Sequence, residues 1–224
     1  FIERDPKKFA VNQFLSGNVL IEYKGDLVSG ASAVFYQDKN VAVVWSNAKL
    51  VSKDKTITAK KMEYDGNTTI AKAYDNVVLT DPGSTIKANF MEYNRTTEIA
   101  IGTGNVDVRT PTQQISSEKM IYERLTGNII VNDSYKTIGS DCTLVEGRNV
   151  VYNVNSKSAN FGSEVFITNK DYTIYSRKMT TNDITGITTF RDYSKVTRRE
   201  DPSQYIITYD GDFNKITGEA WLRK

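Results

Sequence analysis

The segment Thr56-Ile57-Thr58-Ala59-Lys60-Lys61-Met62-Glu63-Tyr64 returns as Thr85-Ile86-Lys87-Ala88-Asn89-Phe90-Met91-Glu92-Tyr93 and again as Gln114-Ile115-Ser116-Ser117-Glu118-Lys119-Met120-Ile121-Tyr122, each copy 29 residues after the last. A unit this short cannot bury an apolar face alone, so it must stack against its neighbours. Two markers extend the period along the chain. The Met-x-Tyr ending is preceded by Val34-Phe35-Tyr36 and followed by Val150-Val151-Tyr152, Met179-Thr180-Thr181 and Ile207-Thr208-Tyr209. An Asn-apolar pair, read as the opening of a strand, recurs as Asn18-Val19, Asn47-Ala48, Asn76-Val77 and Asn105-Val106, then degrades to Ser134-Tyr135, Glu164-Val165 and Lys195-Val196. Both markers count seven repeats.

Within a copy the apolar residues alternate as in strands. Ile86 and Ala88 share one face; Met91 and Tyr93 share a face with each other but are one position out of step with the first pair. A slip of one turns a strand over unless a bulge or bend restores the face. The slip recurs between Ala59 and Met62, Ser117 and Met120, and Ser176 and Met179, which predicts a corner at one place in every unit. Turn-forming clusters follow each ending, such as Asp65-Gly66-Asn67, Asn94-Arg95-Thr96 and Asp210-Gly211-Asp212. A second tight turn, Lys53-Asp54-Lys55 or Asp81-Pro82-Gly83-Ser84, leads into the next copy. Each unit therefore reads as two antiparallel strands, and the chain as an all-β domain spanning residues 1–224 with about 14–16 strands. Abundant Tyr, 13 in all, with few Pro, 4, fits half-buried pleated surfaces.

The chemistry of enzymes is hard to place here. There is no His, which removes the commonest general base and most zinc sites. Glu63 and Glu92 hold equivalent positions, but the next copy has Ile121 there, the mark of a tolerant outward position. Asp107, Asp133, Asp141 and Glu146 have no metal-ligand spacing. Gly102-Thr103-Gly104 lacks the following helix of a phosphate loop. The glycosylation-like patterns at Asn67, Asn94 and Asn132 fall where turns need Asn anyway. No enzyme activity, cofactor or metal is expected. Lys plus Arg, 29, nearly balances Asp plus Glu, 27, so no overall field draws the chain to nucleic acid. The one cysteine, Cys142, has no partner for an intramolecular disulfide and is expected to pack as a small apolar residue. No apolar run is long enough to span a bilayer as a helix, and a first residue of Phe1 suggests a removed leader or anchor and thus export.

The succession Ser16-Gly17-Asn18-Val19, Thr56 to Tyr64, Asn76-Val77-Val78-Leu79, Thr85 to Tyr93 and Gly104-Asn105-Val106 resembles the OstA-like family, which includes the LptA-type periplasmic bridge of lipopolysaccharide transport. The likeness is strong over residues 16–131 and stays in phase to residue 224. It implies an elongated, twisted antiparallel β-jelly roll whose interior is a hydrophobic groove for lipopolysaccharide acyl chains. It also implies a periplasmic location, lipopolysaccharide or a related lipid as ligand, and end-to-end self-association or joining to other Lpt-type jelly rolls through edge strands, here near Phe9 to Leu15 and Ile216 to Leu222. On that reading the lipid-facing residues are Ile57, Ala59, Met62, Tyr64, Ile86, Ala88, Met91, Tyr93, Ile115, Met120 and Tyr122. A closed, dry core built from the same residues is the competing expectation.

Two other classes compete. A β-solenoid adhesin or carbohydrate-binding surface protein would need successive coils to run parallel, which the hairpin-like turns oppose. A polysaccharide lyase or esterase on a β-helix lacks its catalytic groups in a chain without His or clustered acids.

Overall fold

The computed structural model describes residues 12–23 and 25–223. The charged lead-in Glu3 to Lys8 and the edge residues Phe9 and Val11 lie outside the described residues. Every regular element in the described part is a strand: β1 (Asn12–Tyr23), β2 (Asp26–Tyr36), β3 (Val41–Ser52), β4 (Lys55–Asp65), β5 (Ile70–Asp81), β6 (Ser84–Asn94), β7 (Ile99–Arg109), β8 (Gln113–Glu123), β9 (Asn128–Gly139), β10 (Leu144–Asn153), β11 (Ser158–Phe161), β12 (Val165–Thr168), β13 (Tyr172–Ser176), β14 (Met179–Asn182), β15 (Ile187–Phe190), β16 (Ser194–Arg198), β17 (Tyr205–Thr208), β18 (Gly211–Asn214) and β19 (Ala220–Leu222). The chain forms two compact units, Phe1–Gly102 and Thr103–Lys224, divided within β7.

In unit 1, β1 to β6 form an antiparallel meander in which each strand pairs with the next. Each ladder breaks register once, between Ser16 and Val19, Ser29 and Ser32, Trp45 and Ala48, Thr58 and Lys61, and Tyr74 and Val77. These breaks are the expected corners. One half of every strand thus belongs to a first wall and the other half to a second, with the buried rows between them. On the first wall the inner row runs Val28, Leu50, Ile57, Leu79, Ile86. On the second, one row runs Val44, Met62, Ala73, Met91 and another Ala42, Tyr64, Ala71, Tyr93. All of these side chains are buried, and the alternation of Ala with Met or Tyr lets large groups interlock.

The Asn-apolar marker proves not to open strands. Asn47 and Asn76 lie inside β3 and β5, and Asn18 inside β1. They have positive φ, as do the residues just before them: Gly17 and Asn18 at 78° and 54°, Ser46 and Asn47 at 57° and 62°, Asp75 and Asn76 at 61° and 54°. A left-handed pair turns the corner, and Asn, Asp and Gly meet it at least steric cost. The motif marks the bend, not the strand start.

In unit 2, β8, β9 and β10 continue the long-strand pattern, with breaks between Ser117 and Ile121 and between Arg148 and Val150. Beyond β10 the corners become gaps. The first half of β10 pairs with β12 and its second half with β11. From there two separate ladders run, β12–β13–β16–β17 on the first wall and β11–β14–β15–β18–β19 on the second. This accounts for nineteen segments where about 14–16 strands are expected: β11 with β12, β13 with β14, β15 with β16 and β17 with β18 are single strands split at the corner, so ten unbroken strands, four split ones and β19 make fifteen. All these pairings are antiparallel, which rules out the parallel coils of a solenoid within each unit.

Candidate functional site

The two walls of unit 1 meet along a polar seam. The seam joins residues at the first turn of one wall to the tyrosine ending of the other, one repeat further on. Tyr64 Oη donates to Asp26 Oδ2 at 3.2 Å, Lys55 Nζ donates to Tyr93 Oη at 2.7 Å, and Arg95 Nε pairs with Asp26 Oδ2 at 2.7 Å. Lys53 Nζ reaches Glu98 at 2.5 Å from the same rim. Lys55 is only 2% exposed. It is held by the Tyr93 hydroxyl, the face of the Tyr93 ring at 4.9 Å and the Glu98 carboxylate at 3.8 Å. Burial, reinforced by the Asp26 carboxylate, pushes the Tyr64 phenol up to about 12. Under the seam the interior side chains are shielded from water, with Met62 and Val44 fully buried.

Unit 2 has the same plan and a different outcome. Tyr122, Ile129, Tyr152, Ala159, Thr181, Thr188 and Phe213 form the second-wall row equivalent to the Tyr64 and Tyr93 row. Here the tyrosine position of the sixth copy is Thr181, and a cavity of about 450 Å³ opens beneath it. Its walls are mostly apolar: Ile115, Val145, Ile167 and Ile174 from the first wall, and Val150, Phe161 and Ile187 from the second. Its rim is polar, with Thr112, Gln113, Asp141, Asn169, Asp183 and Lys215. Gln113 Nε2 donates to Asp183 Oδ2 at 2.7 Å, and Lys215 Nζ to Asp183 Oδ1 at 3.0 Å. The volume lies within the roughly 300–1,000 Å³ of small-ligand sites.

Burial of the first-wall row fades along the unit. Ile174 is 8% exposed and its neighbour across the sheet, beyond Val196, is Ile206 at 45%. On the second wall Leu222, cross-strand from Gly211, is 52% exposed. The interior of unit 2 therefore opens to solvent at β17 and β19.

All eleven residues expected to face the interior are buried: Ile57, Ala59, Met62, Tyr64, Ile86, Ala88, Met91 and Tyr93 in unit 1, and Ile115, Met120 and Tyr122 in unit 2. Of these, Ile115 lines the cavity. The remaining cavity residues come partly from the same strong copy, at Ile129 and Val131, and partly from the weaker later ones, where the sequence signal was the loss of Tyr at Thr181. Cys142 is exposed and not packed as a small apolar residue, because it sits in the Gly139 to Thr143 turn with φ 62°. Asn94 uses its side-chain oxygen to accept from the backbone of Thr96 and Thr97, the turn role expected of it.

The profile of the OstA-like protein family matches residues 2–144. The chain belongs to the OstA-like family. A second profile, that of the LptA and LptD N-terminal domain lipopolysaccharide transport proteins, matches residues 85–219 of this OstA-like chain. No curated protein matches it. Among solved structures it is similar to LptH, the LptA homologous periplasmic component of the conserved lipopolysaccharide transport device from Pseudomonas aeruginosa, with 16% identity, a TM-score of 0.44, and coverage of 47% of this chain and 80% of that one.

Proposed function

We propose that this OstA-like protein shields the acyl chains of lipopolysaccharide, or of a related lipid, in the interior of unit 2 while the lipid crosses the periplasm. The apolar cavity beneath Thr181 carries the reading, since it is a partly open space lined largely by Ile, Val and Phe, with its charged groups Asp141, Asp183 and Lys215 at the rim. Such a space takes the tail of an amphiphile and leaves its head in water. A tail of about a dozen carbons would lose on the order of 10 kcal/mol on entering water, so an unshielded crossing is negligible. A passive seat supplies no direction, and the driving force comes from outside the chain.

Eight of the eleven residues expected to touch lipid belong to the filled interior of unit 1, and in this reading they hold the fold while the later copies hold the ligand. We propose further that another jelly-roll domain or a second copy adds a strand at β17 or β19, where the inner rows are open and each is the last described strand of its ladder.

Mass spectrometry of lipid carried by the purified protein tests the reading, with Thr181→Tyr as the decisive variant. A ring at that position restores the filling seen in the earlier copies. Loss of carried lipid in Thr181→Tyr, with the fold kept, is the expected result; equal loading of the two proteins would overturn the assignment of the seat.

A further inference from the structure

The rim bonds of the two units differ in what they close over. In unit 1 the links Lys55 to Tyr93 and Tyr64 to Asp26 are buried and lie over the buried Met and Ala rows. In unit 2 the link from Gln113 through Asp183 to Lys215 lies over a cavity and is partly open to water, with Asp183 28% and Lys215 49% exposed in their side chains. Gln113 begins β8 on the first wall, whereas Asp183 and Lys215 follow β14 and β18 on the second. The Gln113–Asp183 bond therefore ties one lip of the cavity to the other, and Lys215, on the same lip as Asp183, holds that carboxylate in place.

We propose that Asp183 is the hub of a clasp across the mouth of the unit 2 cavity, and that an apolar chain enters and leaves by its opening. The inference rests on the reading of that cavity as a lipid seat. A nitrogen and an oxygen 2.7 Å apart leave no passage for a methylene, whose contacts with its neighbours need about 3.5–4.0 Å each. The bond must break before a chain can pass between the lips. The link is suited to that: one neutral-donor hydrogen bond across the mouth biases an opening equilibrium by about tenfold, not by the much larger factor of a buried ion pair.

The backbone on both sides of the clasp is fixed, so the side chains alone open it. Asp183 N donates to Lys157 O at 2.9 Å, Lys215 N to Gly186 O at 2.9 Å, and Ser140 N to Thr112 O at 3.1 Å. Asp141, in the turn after β9 on the first lip, is held below the usual carboxylate range, against the opposing effect of burial, by hydrogen bonds from Thr143 and then by the charge of Lys215.

Stopped-flow fluorescence with an uncharged polyene alcohol, which brightens in an apolar site, tests the clasp on the full chain. Asp183→Ala is expected to speed both entry and exit by about tenfold while changing the equilibrium affinity less than about threefold. A residue that merely contacted the ligand would change affinity, and one that merely supported the fold would change the melting curve, which is recorded alongside. Gln113→Ala removes the same cross-lip bond from the other side and is expected to quicken entry by a similar factor with the Asp183–Lys215 pair intact. Entry unchanged in both variants of a protein that binds the probe overturns the clasp. Failure of the unmodified protein to bind the probe at all overturns the lipid seat itself.

Discussion

Tyr152 and Thr181 stand on one row of the second wall, each on a strand beside Ala159, and both line the unit 2 cavity. The two positions are equivalent in successive copies, and only the first keeps its ring.

Stability should follow that difference in opposite directions. Thr181→Tyr fills existing space and is expected to raise the unfolding free energy by about 0.5–2 kcal/mol. Tyr152→Ala, which removes a buried ring, is expected to lower it by about 3–5 kcal/mol. Urea denaturation of both variants checks this, and a Thr181→Tyr protein less stable than its parent would mean that the row has no room for the ring.

Lys53 and Lys55 bear on the same Glu98 carboxylate from very different surroundings, at 61% and 2% side-chain exposure. Lys53→Ala is expected to change stability by about 0–1 kcal/mol, since an exposed ion pair contributes little. Lys55→Ala strips a buried carboxylate and the Tyr93 hydroxyl of a partner and is expected to cost about 3–5 kcal/mol. Similar midpoints for the two variants would show that the seam does not hold unit 1 together.

The seam also sets a response to alkali. Burial, then the Asp26 charge, raise the Tyr64 phenol from 10.0 to about 12, and burial raises Tyr135 and Tyr152 in the same direction. The folded state keeps these protons longer than the unfolded one, so the stabilisation is complete below the unfolded value near 10 and is lost as pH rises from there through 12. Unfolding midpoints should hold steady up to about pH 9 and fall beyond it, and Tyr64→Phe should make the fall shallower while costing about 1 kcal/mol at neutral pH through the lost hydrogen bond to Asp26. An equally steep decline in Tyr64→Phe would remove Tyr64 from the account.

Much of this was legible because the period of two and the period of 29 act on the same residues. Ile57, Ala59, Met62 and Tyr64 keep their faces in every strong copy, so the slip between Ala59 and Met62 could be read as a corner before any coordinates. What the pattern could not carry was the fate of the interior. Burial alone does not separate a filled core from a lipid seat, and Met62 and Met91 suit both. The cavity of unit 2 takes its lining both from a strong copy, at Ile115, and from a weak one, at Thr181. The clasp was also beyond reach, since Gln113 and Asp183 lie 70 residues apart and neither belongs to a repeated motif.

The Asn of each Asn-apolar pair gives the last prediction, because its role is conformational and its side chain is free of packing. Asn76 is exposed and sits within β5 at φ 54°, directly after Asp75 at φ 61°. An ordinary L-residue placed in the left-handed region costs about 1–2 kcal/mol, and a β-branched one more, whereas Gly has no Cβ to clash. Asn76→Gly is therefore expected to leave stability within about 0.5 kcal/mol, and Asn76→Val to lower it by at least 1–2 kcal/mol, although Val is the better strand former and no buried contact is lost. Strand propensity and corner geometry thus make opposite forecasts for one substitution. Denaturant midpoints for the two variants decide between them: Val tolerated as well as Gly would return Asn76 to the role of a strand opening and leave the bend without its hinge residue.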